Sequence, residues 1–213
     1  MRIVEQEYKI LTPISKGGIE ELKRIEQAAR TCYKSEDKIT DDGESAKKLV
    51  KMLINNGHEA MLEHSSLTVW FCTDRGVSHE LVRHRLAAYA QESTRYCSYD
   101  KCKFGGEIAV VRPSNIKRGT DAYIAWSVAC GHAETAYMEL LDEGCKPQDA
   151  RSVLPTCLKT EIVVTANYRE WRHIFSLRTD NAAHPDIRQL MTPLLLDLQR
   201  RIPIVFDGIR HES

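Results

Sequence analysis

The chain has no hydrophobic run approaching the ~20 residues that cross a bilayer. Its opening, Met1-Arg-Ile-Val-Glu-Gln-Glu-Tyr8, is too polar for a secretory signal. It has no C-x-x-C pair and no zinc-ligand spacing. Its cysteines, at 32, 72, 97, 102, 130, 145 and 157, are odd in number. That argues against a disulfide framework and favours reduced thiols in a cytoplasmic protein. It has no excess of either charge: 30 basic and 30 acidic side chains cancel, which disfavours a globally basic nucleic-acid binder. It also lacks repeats, low-complexity tracts and linkers; Asp41-Asp42-Gly43 and Arg112-Pro113-Ser114-Asn115 are the size of loops. What remains is an ordinary globular composition, 42% hydrophobic and 28% charged. With no boundary visible, residues 1–213 read as a single domain with a sizeable core.

Periodicity supplies the elements. Residues 2–12 suggest an opening strand. Ile19, Leu22, Ile25, Ala29 and Cys32 fall at helical spacing, and Leu49, Val50, Leu53 and Ile54 mark a second helix stopped by Gly57 as a C′ glycine. Ser66–Thr73 has strand composition, Asp74-Arg75-Gly76 reads as a turn, and Ser78 as the cap of a short helix carrying Leu81 and Val82. Residues 107–111 and 161–166 read as strands. Thr120–Glu143 is a long helix with a stripe of Ala122, Trp126, Ala129, Ala133, Tyr137, Leu140 and Leu141, ended by Gly144. Asn167-x-x-Glu170 has the form of a capping box. A last helix carries Ile187, Leu190, Met191, Leu194, Leu195 and Leu198, with a kink expected at Pro193. Strands and helices do not alternate regularly, so the expected class is α+β: a helix-rich single domain around a small mixed or antiparallel sheet.

The densest chemistry lies in Arg83-His84-Arg85 and, after seven residues, Ser93-Thr94-Arg95-Tyr96. Forked guanidinium donors suit phosphate. Consecutive side chains diverge on any regular element, so the three residues of the triplet cannot all face one way. A solvated charge run is the plain alternative; Leu81, Val82 and Leu86 around the triplet favour partial burial. Ser93 has neither a G-x-S-x-G elbow nor a visible base, so it reads as a hydrogen-bonding binder rather than a nucleophile. His58 and His64 are spaced H-x5-H, which does not place two imidazoles on one helical face, and no metal site is expected.

Trp171, Ile174, Phe175 and Arg178 recur at i, i+3, i+4 and i+7, which sets Arg178 on the apolar face of its helix. A guanidinium there needs a carboxylate, a carbonyl-rich ligand or a phosphate, and a structural ion pair satisfies that need as well. Arg151, before Leu154-Pro155, is a weaker case of the same kind.

Arg83-His84-Arg85-x7-Ser93 with Arg95-Tyr96, Gly57-His58-Glu59, Ala150-Arg151 through Pro155, and Asn167 through Arg178 together resemble the flavin-dependent thymidylate synthase family, in the same order and over well more than half of the chain. The resemblance implies conversion of dUMP to dTMP, with methylenetetrahydrofolate as carbon donor, reduced FAD as hydride source and NADPH as the reductant of the flavin. It implies that His58, Ala60, Arg83, His84, Arg85, Gln91, Asn167, Arg169 and His173 lie along FAD. It implies that Glu80, Arg83, Gln91, Glu92, Ser93, Thr94, Arg95 and Arg151 hold dUMP. Arg178 would meet the uracil ring and stabilise charge developing on N3 and the carbonyls. A homotetramer with shared active sites is implied too, with no nucleic acid or membrane partner.

This sequence departs from the commoner family pattern at Ala88, Ala90 and Gln91, where many members have Ser, Asn and Glu. Glu80 stands in place of a frequent Gln, and Ala60 in place of a hydroxyl residue. Three rival readings predict different behaviour. A nucleic-acid module would bind with steep salt dependence, and a flavin reductase would bind FAD but not dUMP. A cysteine-dependent synthase would need a low thiol pKa, for which the surroundings of Cys157 offer no cause.

Overall fold

A computed structural model describes residues 1–101 and 105–209; Cys102 lies outside them. The strands are β1 (Arg2–Val4), β2 (Glu7–Ile10), β3 (Ser66–Asp74), β4 (Ala87–Gln91), β5 (Ala109–Val111) and β6 (Lys159–Asn167). The helices are α1 (Ile19–Thr31), α2 (Glu44–Asn55), α3 (Arg75–Leu81), α4 (Asp121–Asp142), α5 (Pro147–Ala150), α6 (Tyr168–Arg178), α7 (Pro185–Arg201) and α8 (Pro203–Phe206). One sheet has the order β2-β3-β6-β4, and β1 pairs with β5 in parallel. The class is α+β and helix-rich, as the irregular alternation of elements implied. Among the described residues no helix is long and apolar enough to cross a membrane.

The chain packs as two compact units, one of Met1–Tyr8, Trp70–Arg83 and Tyr89–Val163, the other of Lys9–Val69, His84–Ala88 and Val164 onward. In the first, Tyr99, Ile108, Val110, Cys130, Tyr137, Ala150 and Leu158 form a buried cluster. In the second, Trp171 stacks on Phe175, and Phe206 meets both Phe175 and Tyr168 edge-on at centroid distances of 5.8 and 5.6 Å. The whole apolar stripe expected in the last helix is buried, and α7 continues on both sides of Pro193.

Helix ends follow the local signals closely. Gly57 has φ 70°, its N–H bonds Ile54 O at 3.0 Å, and His58 N bonds Leu53 O at 2.8 Å. That is the doubly bonded glycine C-cap, and it sets the direction in which the chain leaves toward His58. Asn167 caps α6, its side chain accepting from Glu170 N at 2.8 Å. Asn167→Ala is expected to lower stability by about 1 kcal/mol, measured by denaturant unfolding.

Four local readings are corrected. Asp74-Arg75-Gly76 is the start of α3: Asp74 accepts from Val77 N at 2.7 Å, while Ser78 lies inside the helix with its hydroxyl donating to Arg75 O. An acidic side chain at the end of a strand caps a helix as readily as it makes a turn, and the cap prevails here. The opening strand is two strands separated by Glu5 and Gln6. Residues 87–91, read as part of the polar motif, are a strand. In α4 only Cys130 and Tyr137 are buried; Ala122 and Ala129 are exposed, as are Ile124 and Val128 on another face. A long helix with apolar residues on every side has more of them than one packing face can cover.

Candidate functional site

In the second unit the motif histidine meets α6. Of the triplet, His84 is buried while Arg83 and Arg85 are exposed. Leu86 is 74% exposed, so the expected burial of the arginines is not found; diverging side chains place only the middle residue inward. Arg178 lies on the face of α6 shared with Trp171, Ile174 and Phe175, and its Nε donates to His84 Nε2 at 3.0 Å. The imidazole that Arg178 meets is separated from it by 94 residues.

This contact fixes a protonation state. A guanidinium has no acceptor, so His84 Nε2 must present a lone pair and the ring proton sits on Nδ1. There it faces Glu170 Oε1 at 3.6 Å. Burial, the charge of Arg178 and the nearby His173 ring lower the imidazole pKa to about 4. His84 is therefore neutral at pH 7. The unfolded chain takes up this proton near pH 6.5 and the folded one only near 4. Between those values the unfolded state holds more protons, so stability is full above about 6.5 and falls as the pH drops, by up to about 3 kcal/mol. Denaturant unfolding at pH 7.5 and 5 is expected to show about 2 kcal/mol of that loss, and less in His84→Asn. Equal pH slopes in the two proteins would contradict it.

Of the other residues expected along a flavin, the same unit holds His58, Ala60, Arg85, Asn167, Arg169 and His173, while Arg83 and Gln91 belong to the first unit. His173 is exposed on α6, with its ring 5.8 Å edge-on from His84. The 3-10 turn Glu59–His64, which follows His58 and carries Ala60, is tied to α6 by Arg172–Glu59 at 3.0 Å and Arg169–Glu63 at 2.6 Å. His58 and Ala60 are exposed, and so is Arg85. Asn167 spends its side-chain oxygen on the helix cap.

Of the residues expected around dUMP, the first unit holds all but Arg178. Gln91 Nε2 donates to Ser78 Oγ at 2.9 Å and to Thr160 Oγ1 at 3.2 Å. The two hydroxyls serve an amide as well as they would a carboxylate, which accommodates the departure at this position. Ser93, Thr94 and Arg95 form a turn in which Cys97 N bonds Ser93 O at 2.9 Å and Arg95 N bonds Ser93 Oγ at 3.3 Å. Thr94 is buried, and its hydroxyl accepts from Arg151 Nη1 at 3.1 Å. Two residues assigned to one ligand are thereby joined across 57 positions. Arg95 is exposed and lies over the Tyr96 ring. Glu80 is half-buried in α3, and Arg83 is exposed just beyond its end.

Glu92 differs from its neighbours. Tyr99 Oη donates to Glu92 Oε1 at 3.1 Å, Lys159 Nζ lies 3.2 Å from Oε2, and Lys159 also pairs with Glu161, which accepts from Trp70 Nε1 at 3.1 Å. Burial alone would lower the Lys159 pKa, but its two carboxylates raise it, so the ammonium stays charged. These side chains line a polar cavity of about 320 Å³ with Arg2 and Glu107. The sequence does not single out Tyr99 or Lys159, and it marks Glu170 only as part of a helix cap. Lys159 and Glu161 did carry a signal, an opposite-charge i, i+2 pair that must share one face of a strand.

Comparisons with known proteins place the chain in a family. A family model described as thymidylate synthase complementing protein matches residues 19–204. The flavin-dependent thymidylate synthase of Pyrococcus abyssi is 34% identical over 188 residues, covering 84% of this chain and 75% of that protein. That of Corynebacterium aurimucosum is 32% identical over 210 residues, covering 91% and 82%. That of Pyrococcus furiosus is 35% identical over 156 residues, 72% of this chain but 63% of its own length. Among solved structures, a UMP/dUMP methylase, PolB, from Streptomyces cacaoi bound with 5-Br dUMP shares the fold: TM-score 0.79 over 97% of this chain and 96% of that one, at 22% identity. The matched span contains the His84–Arg178 pair, the Ser93 turn and Arg151, and the chain belongs to the thymidylate synthase complementing protein family, that of the flavin-dependent thymidylate synthases.

Proposed function

We propose that the protein methylates dUMP to dTMP, taking the carbon from methylenetetrahydrofolate and the hydride from FAD reduced by NADPH. The observation that carries this reading is the inward Arg178 held by a neutral His84. A guanidinium held at His84 on the apolar face of α6 is placed to meet the polar edge of a base, where it stabilises negative charge as it develops. Stabilising negative charge around N3 and the carbonyls activates the base without addition of a protein group, so this reading calls for no protein nucleophile.

The donor set suits a flavin nucleotide. Arg85, Arg169, His58 and His173 are exposed within one unit and offer cationic and hydrogen-bonding contacts to a phosphate-bearing group. Bound and reduced, FAD supplies the hydride. Arg95, Arg151, Ser93 and Thr94, with Glu80, Arg83 and Gln91, serve dUMP, the arginines chiefly through its phosphate. The family match runs through both compact units, which supports treating residues 1–213 as one catalytic domain. Ile124 and Val128, 57% and 51% exposed on α4, support self-association into the homotetramer with shared sites. The free thiols suit a reducing cytoplasm.

Titrating dUMP into the FAD-loaded protein tests the binding half of this reading. A saturable shift of the visible flavin spectrum is expected. Flavin bands unmoved by dUMP at every concentration would contradict it.

A further inference from the structure

Every polar group of Glu92 is held. Its N–H bonds Glu161 O at 2.9 Å and its carbonyl accepts from Arg75 Nη2 at 2.9 Å. One carboxylate oxygen takes the Tyr99 hydroxyl, and the other faces the Lys159 ammonium. The side chain is nearly buried, with Lys159 19% exposed beside it. The residue that follows is Ser93, whose carbonyl and hydroxyl organise the turn presenting Thr94 and Arg95.

We propose that Glu92 is a positioning residue: clamped by Lys159 and Tyr99, it fixes the Ser93–Arg95 turn in its ligand-ready shape without touching the nucleotide. The inference rests on the dUMP reading above and assigns Tyr99 and Lys159, which lie outside the expected set, to the support of that site. The physics is preorganisation. A buried carboxylate must keep its charged and hydroxyl partners or bear the cost of losing them. A turn anchored on both sides of its first residue therefore enters the complex with little ordering left to do. Lys159 comes from β6, so the anchor fastens a loop to a strand of the sheet rather than to another loop.

The test compares Glu92→Gln, Lys159→Met, Lys159→Arg and Tyr99→Phe for FAD affinity, dUMP affinity and steady-state kinetics. Lys159→Met is expected to raise the KM for dUMP about tenfold, with kcat at saturating dUMP within about twofold and FAD affinity unchanged. Lys159→Arg restores most of the loss. Tyr99→Phe gives a smaller effect of the same kind and serves if Lys159→Met does not fold. Glu92→Gln matches Lys159→Met, and the double variant is no worse than either single one. Two results would overturn the inference. One is a raised KM in Glu92→Gln alone, with Lys159→Met and Tyr99→Phe at wild-type values, which would make Glu92 a direct ligand. The other is a parallel fall of kcat, FAD affinity and thermal stability, which would make the cluster a folding device. Wild-type protein that bound FAD but no dUMP would remove the underlying reading instead, and this inference with it.

Discussion

Arg178→Ala is expected to lower the rate of dTMP formation by about 10²- to 10³-fold while leaving flavin binding largely intact. The size follows from the role. A preorganised cation aimed at charge that develops only in the transition state contributes to kcat, and its removal leaves that charge to solvent. The selectivity follows from the geometry. Arg178 is the last residue of α6, where its half-buried side chain donates to His84, and it is not among the residues that the resemblance places along FAD. Arg178→Lys keeps the charge but loses the fork and the Nε donor, so most of the defect is expected to remain. Single-turnover measurements with saturating dUMP separate the chemical step from binding. Activity within threefold of wild type in Arg178→Ala would remove this residue from the chemistry. Loss of both flavin and activity would instead make it a structural tie to His84.

The second large effect falls on stability. Trp171 is fully buried, stacks on Phe175 and donates its indole N–H to Leu67 O at 2.9 Å. It joins the helix that carries His173 and Arg178 to β3. Trp171→Ala is expected to cost about 3–5 kcal/mol for the lost contacts and the cavity, and it strands a buried carbonyl besides. Set against the ~5–15 kcal/mol of a typical domain, that corresponds to a fall of roughly 10 °C in Tm. Trp171→Phe keeps most of the volume and loses the hydrogen bond, so about 1–2 kcal/mol is expected. Circular dichroism during denaturant unfolding measures both without depending on indole fluorescence. A Trp171→Ala variant within 1 kcal/mol of wild type would show that this contact does not hold α6.

What could be read from the sequence was local. The glycine C-cap at Gly57, the Asn167 cap, the burial stripe of α7 and the inward direction of Arg178 each depend on residues within one or two turns. Each is found in the structure. What could not be read was pairing. His84 finds Arg178 and Thr94 finds Arg151 through sheet order and helix packing, which no spacing encodes. Asp74 was misread because turn and cap use the same residue types. The triplet was misjudged because apolar neighbours in sequence, Val82 and Leu86, are themselves exposed. Glu92 was grouped with Ser93 by adjacency, yet its side chain points to Lys159 and Tyr99. In an extended segment neighbouring side chains face opposite ways, so adjacency is poor evidence of a shared ligand.

The most direct test of the account is anaerobic dTMP formation from dUMP, methylenetetrahydrofolate and NADPH by the purified protein, with and without added FAD. Product that requires both protein and flavin is the expected result. NADPH oxidation by the flavin-loaded protein with no dTMP formed would contradict it, and would leave a flavin reductase built on a synthase fold.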